Sequence, residues 1–374
     1  MKAFQRLPKA RLALSSLNSP SKLFIRQSST NESELEISAK QEVGALKRKF
    51  AEPTISYDYL TPTSSHLLNL TLADILPEEC WAPNFSASDL TLPVVGDTPL
   101  PEGHHLVYCP PQLLARDLLE DGTDNMHHPG RPFTRRLWTS GNLRFHSRPE
   151  DGLPMKLDGR RVFCREKIRR INIGNDLAQI TILRHIGYAP ENTSPLKFVV
   201  AISETRDFRF FTDKAEAKAG VGHQYKPRRD HNEIKAFSFT PTPSLLARFS
   251  ALTFNAHRIH LDVQYSQVEG YKSLLLHGPL LAMLMLAALR PHVEHGNSLR
   301  IFGYRLLRPV YVNEKIDIIV QKTGREPTNG DYSVMILVGG VVHASGRGSS
   351  KGIDEPYKEL DDAHLIDARL PESL

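Results

Sequence analysis

Cysteine is scarce in this chain, with three in 374 residues. Cys80, Cys109 and Cys164 are odd in number, far apart and without a CxxC pair, which excludes a closed disulfide framework and a thiolate zinc site. They read as buried or idle thiols in a reducing compartment. Long apolar runs are lacking too. The longest, Leu280 to Leu289, falls well short of the roughly 20 residues that span a bilayer, so no membrane insertion is expected. Zinc-finger spacing, an RNA-binding aromatic signature and an Arg-rich helix are missing, which removes the usual grounds for a nucleic-acid partner.

Acidic residues are absent from the first thirty positions, which carry Lys2, Arg6, Lys9, Arg11, Lys22 and Arg26 among Ser, Leu and Phe. A basic, Ser-rich segment without a long apolar centre fits a mitochondrial transit peptide over residues 1–30, with the matrix as destination. A disordered basic tail is the bland alternative. Six of the 47 Lys and Arg lie there while all 42 acids lie elsewhere, so the rest of the chain is close to neutral and offers no basic face to a polyanion.

About 340 residues then remain, more than one core usually serves, and they read as two domains. Residues 31–55 have the charge pattern of an exposed helix. A Pro-rich extended stretch follows, ending at Pro111, which opens a short helical pattern from Gln112 to Glu120 closed by Asp121-Gly122. Strands are expected over Arg135 to Phe145, Arg160 to Ile173 and Lys197 to Phe208, giving a first unit over 56–212. Residues 213–233 have linker composition. The second unit, 234–350, has a helix from Leu280 to Leu289 and strands near Leu299 to Val310, Lys315 to Lys322 and Tyr332 to Ser345, before a tail over 351–374. Pro243 to Arg248 echoes Pro111 to Arg116, which suggests a duplication.

The helix from Leu280 to Leu289 is apolar on every side, so it is expected to be buried all round. An antiparallel sheet achieves that by curling around it, as in a hot-dog domain; a core helix of another α+β fold is the alternative. Just upstream lie the groups suited to chemistry. Pro279 suits the first helical position, and Gly278 offers an approach to the backbone where N–H groups and the helix dipole can hold the oxyanion of an acyl thioester. His260 is the candidate for proton transfer near neutrality, with His257 three residues earlier and Asp262 and His277 as supporting groups. A metal held by His257, His260 and Asp262 finds no further ligand cluster, and no metal or cofactor is expected. Arg305, Arg308 and Arg347 are candidates for the phosphate of phosphopantetheine or coenzyme A, or else ordinary solvated charges.

These residues resemble the MaoC-like hot-dog hydratases and dehydratases. Their signature runs Asp, any residue, Asn, Pro, an aliphatic, His, any residue, then Asp or Glu. Ile259, His260 and Asp262 fall on its aliphatic, His and acidic positions, Asn255 on its catalytic Asp, His257 on its Asn and Arg258 on its Pro. The wording from Leu252 to His260, with Glu269-Gly270-Tyr271, His277-Gly278-Pro279, Gly122-Thr123-Asp124, Pro132 to Trp138 and Phe302 to Pro309, is similar to one branch of that family. That branch holds hydroxyacyl-thioester dehydratase type 2 and the mesaconyl-C4-CoA hydratases, and the likeness covers roughly residues 55 to 350.

The resemblance implies an α+β double hot-dog, with a degenerate N-terminal repeat and a catalytic C-terminal one. It implies a hydro-lyase that dehydrates 3-hydroxyacyl groups on acyl-carrier protein in mitochondrial fatty acid synthesis. Hydration of an enoyl or mesaconyl-type CoA is the alternative, and a non-catalytic acyl-carrier or CoA-binding module is a rival of another class. An Asn cannot exchange protons as an Asp does, so Asn255 is expected to orient water or the β-hydroxyl while His260 carries the proton. Carrier, chain length and assembly, including a homodimer, stay open.

Overall fold

The computed structural model describes residues 53–146, 155–189, 198–213, 223–226, 233–293, 299–323, 330–350 and 358–360, together with Gln41, Gly44, Ala45 and Arg48. The expected leader, most of the charged extension, most of the linker and most of the tail lie outside these residues.

The first half runs β1 (Thr54–Tyr59), α1 (Pro62–Leu72), β2 (Phe133–Phe145), β3 (Arg161–Ile173), β4 (Leu177–Tyr188) and β5 (Phe198–Thr212). The second runs β6 (Glu233–Phe239), α2 (Pro243–Thr253), α3 (Val263–Val268), α4 (Gly278–Leu289), β7 (Ile301–Leu306), β8 (Ile316–Lys322), β9 (Asp331–Val338) and β10 (Val341–Ser349). A short β11 (Lys358–Leu360) pairs with the start of β5.

The strands form one antiparallel sheet in the order β1-β3-β4-β5-β2-β7-β10-β9-β8-β6. Reading inward from each edge, both halves place their strands as first, third, fourth, fifth, second, so the chain repeats one topology about the β2 and β7 seam. That seam pairs Ser140 with Arg305 through Arg144 with Ile301.

Ten consecutive residues, Leu280 to Leu289, are buried in α4. They lie against β7, β8, β9 and β10, the curl that the all-round apolar helix requires. One apolar cluster runs from Leu60 in β1's exit loop through α1, α2 and α4 to Ala344 in β10, so the two topological repeats share a core. The three cysteines are free and buried within it, and burial pushes the thiols of Cys80 and Cys164 up to about 12.

Several expectations need correction. Gln112 to Glu120 is no helix: the Pro110-Pro111 pair holds the chain extended, and only a 3-10 turn, Ala115–Asp117, forms. The echo with Pro243 to Arg248 therefore joins unlike structures, since the latter opens α2. The element that stands in α2's place after the first strand is α1, and the two helices lie against each other. Between α1 and β2 the N-terminal repeat has no counterpart of α4 among the described residues, only the short 3-10 turns Glu78–Cys80, His104–Val107 and Ala115–Asp117. β1, β4 and β6 were not expected, and Thr54 and Ile55 belong to β1 rather than to a charged helix. The expected strand from Tyr332 to Ser345 is two, β9 and β10, folded at Gly339-Gly340.

Candidate active site

Helix α2 and the loop after it deliver the first chemical groups. Thr242 caps α2 by accepting the Leu245 N–H, and the helix ends at Phe254 in the left-handed region, with the Asn255 N–H donating to Ser250 O at 2.9 Å. Asn255 turns the chain back by accepting the His257 N–H on Oδ1 at 3.0 Å. A 3-10 turn, Arg258–His260, follows, with His257 standing just before it.

The N-terminal repeat fixes this loop from below. Asp121 O accepts the Arg258 N–H at 2.8 Å, and Asp121 Oδ2 lies 3.6 Å from His257 Nε2. Gly122 has φ +82°, and a Cβ on it would come within 2.1 Å of Ala256 O, so only glycine permits this approach.

His260 is 6 % exposed. Its Nδ1 donates to Leu275 O at 2.8 Å, while the Leu275 N–H donates to Ile259 O at 3.0 Å, which holds the ring from two directions. With the proton placed on Nδ1, Nε2 is the nitrogen left to accept one. Burial pushes the His260 pKa down to about 4; the Leu275 carbonyl opposes this and Arg136 adds to it.

His277, fully buried, stacks on His260 with ring centres 3.7 Å apart and 26° between planes. Its Nε2 meets Ser250 Oγ at 2.8 Å. His257 meets the edge of His260 at 5.4 Å. Burial holds His257 and His277 well below the ordinary imidazole range, with His260 as the next cause in each. All three rings are therefore neutral at pH 7.

A cavity of about 1160 Å³ opens against the neighbours of these rings, Ala256, Leu261 and Pro279, while the three rings themselves are not part of its lining. Ser250, Asn255 and Pro279 line it from the second repeat, and Trp138, Arg136, Arg184, Arg206 and Glu166 from the first. Helix α4 thus presents its N-terminus to the cavity through Pro279. Gly278 is small for another reason than open access: a Cβ there would lie 2.8 Å from Leu306 Cδ1 and 3.1 Å from Trp138 Cβ, so β2 and β7 close over it.

A row of charge crosses the floor formed by the N-terminal repeat. Glu166, Arg184 and Glu204 stand directly opposite one another on β3, β4 and β5. Arg184 pairs with both acids, and Arg206 donates through Nε to Glu204 Oε1 at 2.7 Å while lying 4.6 Å above the Trp138 ring. Burial opposes ionisation of Glu204, but Arg206 and Arg184 outweigh it and lower its pKa to about 2. Arg136 is held by Asp124 in a two-pronged pair at 3.0 Å.

Two groups of sequence candidates stand elsewhere. Asp262 caps α3, accepting the Tyr265 N–H at 3.0 Å and Arg258 Nη2 at 2.8 Å, and so does not face His260. Among the described residues no group of three His, Cys, Asp or Glu is placed to hold a metal. Arg305 and Arg347 are exposed, Arg308 is half-buried, and none of the three lines the cavity. Ser250, Trp138 and Arg206 are the residues that sequence reasoning missed. Asp121 and Trp138 do lie inside or beside stretches whose wording carried the resemblance.

The family model for hydroxyacyl-thioester dehydratase type 2 matches residues 103–312. The chain is 32 % identical over 223 residues to mesaconyl-C(4)-CoA hydratase of Chloroflexus aurantiacus, covering 58 % of this chain and 72 % of that one. It is 27 % identical over 285 residues to the mitochondrial hydroxyacyl-thioester dehydratase type 2 of Schizosaccharomyces pombe, covering 71 % and 89 %. For the corresponding Saccharomyces cerevisiae protein the identity is 29 % over 229 residues, covering 58 % and 75 %. Among solved structures, a MaoC-like dehydratase from Phytophthora capsici superposes with TM-score 0.54 at 12 % identity, covering 79 % of this chain and 95 % of that one. At that identity it speaks for the double hot-dog fold alone. Since the family match takes in more than half of its length, the chain belongs to the hydroxyacyl-thioester dehydratase type 2 family, a family of hydro-lyases.

Proposed function

We propose that this protein is a mitochondrial 3-hydroxyacyl-thioester dehydratase, interconverting 3-hydroxyacyl and trans-2-enoyl thioesters in fatty acid synthesis on acyl-carrier protein. The observation that carries the reading is His260: buried, neutral, with Nδ1 committed to a carbonyl and Nε2 left to accept a proton, beside the N-terminus of α4. In the dehydration direction the thioester carbonyl faces the first turn of α4, whose N–H groups and dipole stabilise the enolate oxygen as the α-proton leaves. His260 Nε2 accepts that proton and returns it to the β-hydroxyl, which departs as water. Asn255 has Oδ1 engaged by the His257 N–H, so its Nδ2 is the end that donates to the departing oxygen.

The acid-free, basic leader over residues 1–30 supports import, as do the names of the two yeast relatives. The matrix is the compartment we propose. The direct test is turnover of crotonyl thioesters on both coenzyme A and acyl-carrier protein by chain lacking residues 1–30. The expected result is hydration on both, with the higher kcat/KM on acyl-carrier protein. Binding of either without turnover favours the non-catalytic reading and overturns this one.

Arg206 favours a second reading on the same chemistry. It lines the cavity, is 16 % exposed at its side chain, and uses only Nε on Glu204. Its terminal amino groups suit the far carboxylate of a dicarboxylic acyl-CoA. Comparing crotonyl-CoA with the same enoyl thioester bearing a terminal carboxylate, in wild type and Arg206→Met, tests this: a preference for the diacid that Arg206→Met abolishes supports it. No such preference in wild type removes it.

A further inference from the structure

Hydration needs a water molecule whose oxygen faces the β-carbon and whose hydrogens are both held. His260 can hold one hydrogen and Asn255 Nδ2 can donate to the oxygen, which leaves the second hydrogen without an acceptor. Ser250 is the candidate for that acceptor. It lies on α2, lines the cavity, and its carbonyl accepts the Asn255 N–H at 2.9 Å, so the two residues are fixed to one another.

The hydroxyl of Ser250 is aimed by an imidazole ring whose other nitrogen makes no hydrogen bond among the described residues. Its Oγ lies 2.8 Å from His277 Nε2, while His277 Nδ1 is buried without a partner. Leaving such a group unpaired costs about 1–3 kcal/mol, a cost that an apolar side chain packed on His260 would not incur. The His277 ring in turn lies flat on His260. One neutral imidazole therefore fixes both the Ser250 hydroxyl and the plane of the proton-transfer ring.

Resting on the hydro-lyase reading, we infer that Ser250 is a further catalytic residue of this site and His277 its positioning residue. The Ser250 proton lies on the bond to His277 Nε2, so Oγ offers a lone pair to the water. The water then gives one hydrogen bond to Ser250 Oγ and one to His260 Nε2, accepts one from Asn255 Nδ2, and keeps a lone pair for the β-carbon. His260 takes the proton and passes it to the α-carbon, and Ser250 neither gains nor loses one. This arrangement also accounts for how an Asn serves where the family signature has Asp, because the hydrogen a carboxylate would accept is taken by Ser250.

Ser250→Ala, made in the full chain and assayed by hydration of crotonyl-CoA, tests the assignment. The expected result is a fall in kcat of about 10-fold or more with KM within about twofold, since the interaction is made to water and not to the thioester. Ser250→Cys, which keeps a weak acceptor, should fall between wild type and Ser250→Ala. A purely structural bond between α2 and His277 would instead lower the melting temperature and leave kcat per folded molecule unchanged. Unchanged kcat in Ser250→Ala overturns the proposal. If Ser250→Ala does not fold, unchanged kcat in Ser250→Cys overturns it equally. Wild-type protein that binds crotonyl-CoA without hydrating it would sink the hydro-lyase reading itself.

Discussion

Six buried histidines, His104, His105, His127, His257, His260 and His277, are held below the ordinary imidazole range, in each case first by burial. For His105 and His260 the folded value is about 4. In the unfolded chain each titrates near pH 6.5, so between about 4 and 6.5 the unfolded state binds protons that the folded state refuses. Stability conferred by neutral burial is thus complete above pH 6.5 and is lost as pH falls. At pH 5.5 about nine-tenths of each unfolded imidazole is protonated, which for His105 and His260 costs the fold about 1.4 kcal/mol each. Together they remove about 3 kcal/mol, a large part of the stability of an ordinary domain, and the other four push in the same direction. Urea unfolding from pH 7.5 to 5.5 should show the midpoint falling steeply. Calorimetry in buffers of different ionisation enthalpy should show about 2 protons or more taken up on unfolding at pH 5.5. Uptake of one proton or none would refute the reasoning.

Gly278→Ala should cost about 1–3 kcal/mol by overpacking, because the new methyl meets Leu306 and Trp138, and thermal melting of the variant checks it. A melting temperature equal to wild type would mean that β2 and β7 do not close over α4 as described. Glu204→Gln removes the acid shared by Arg184 and Arg206 in a buried row, and breaking such a pair typically costs about 3–5 kcal/mol. Denaturant unfolding at pH 7 reads that loss, and a change below about 1 kcal/mol would show the row to be hydrated and weak.

What could be read in advance divides along a physical line. Helix α4 was legible because a segment apolar on all sides, opened by Pro279, has one stable placement. His260 and Asn255 could be named as candidates because their spacing is local. Strand β4 was not, although Ala178, Ile180 and Ile182 alternate toward one face, because Arg184 and His185 interrupt the pattern with groups that only cross-strand partners can satisfy. The charge row shows the same limit: Glu166, Arg184 and Glu204 are far apart along the chain and become one feature only when three strands fall into register. Ser250 depends on α2 approaching α4, which no local pattern records. The echo of Pro243 to Arg248 at Pro111 failed because propensity alone does not make a helix where the preceding Pro pair keeps the chain extended along the cavity wall. Gly278 was read as an opening for the thioester carbonyl, whereas the atoms that a Cβ there would meet belong to Trp138 and Leu306, which no local pattern records.

The central claim is that His260 transfers the proton in a site at the N-terminus of α4. His260→Ala should lower kcat for hydration of crotonyl-CoA by about 10²- to 10⁴-fold. The Kd of a saturated acyl-CoA, which binds but cannot react, should stay within a few fold of wild type, because the carbonyl site is not made by that ring. A large loss of kcat with binding preserved is the result this account predicts. Turnover at the wild-type rate, or a Kd weakened as much as kcat is lowered, would contradict it.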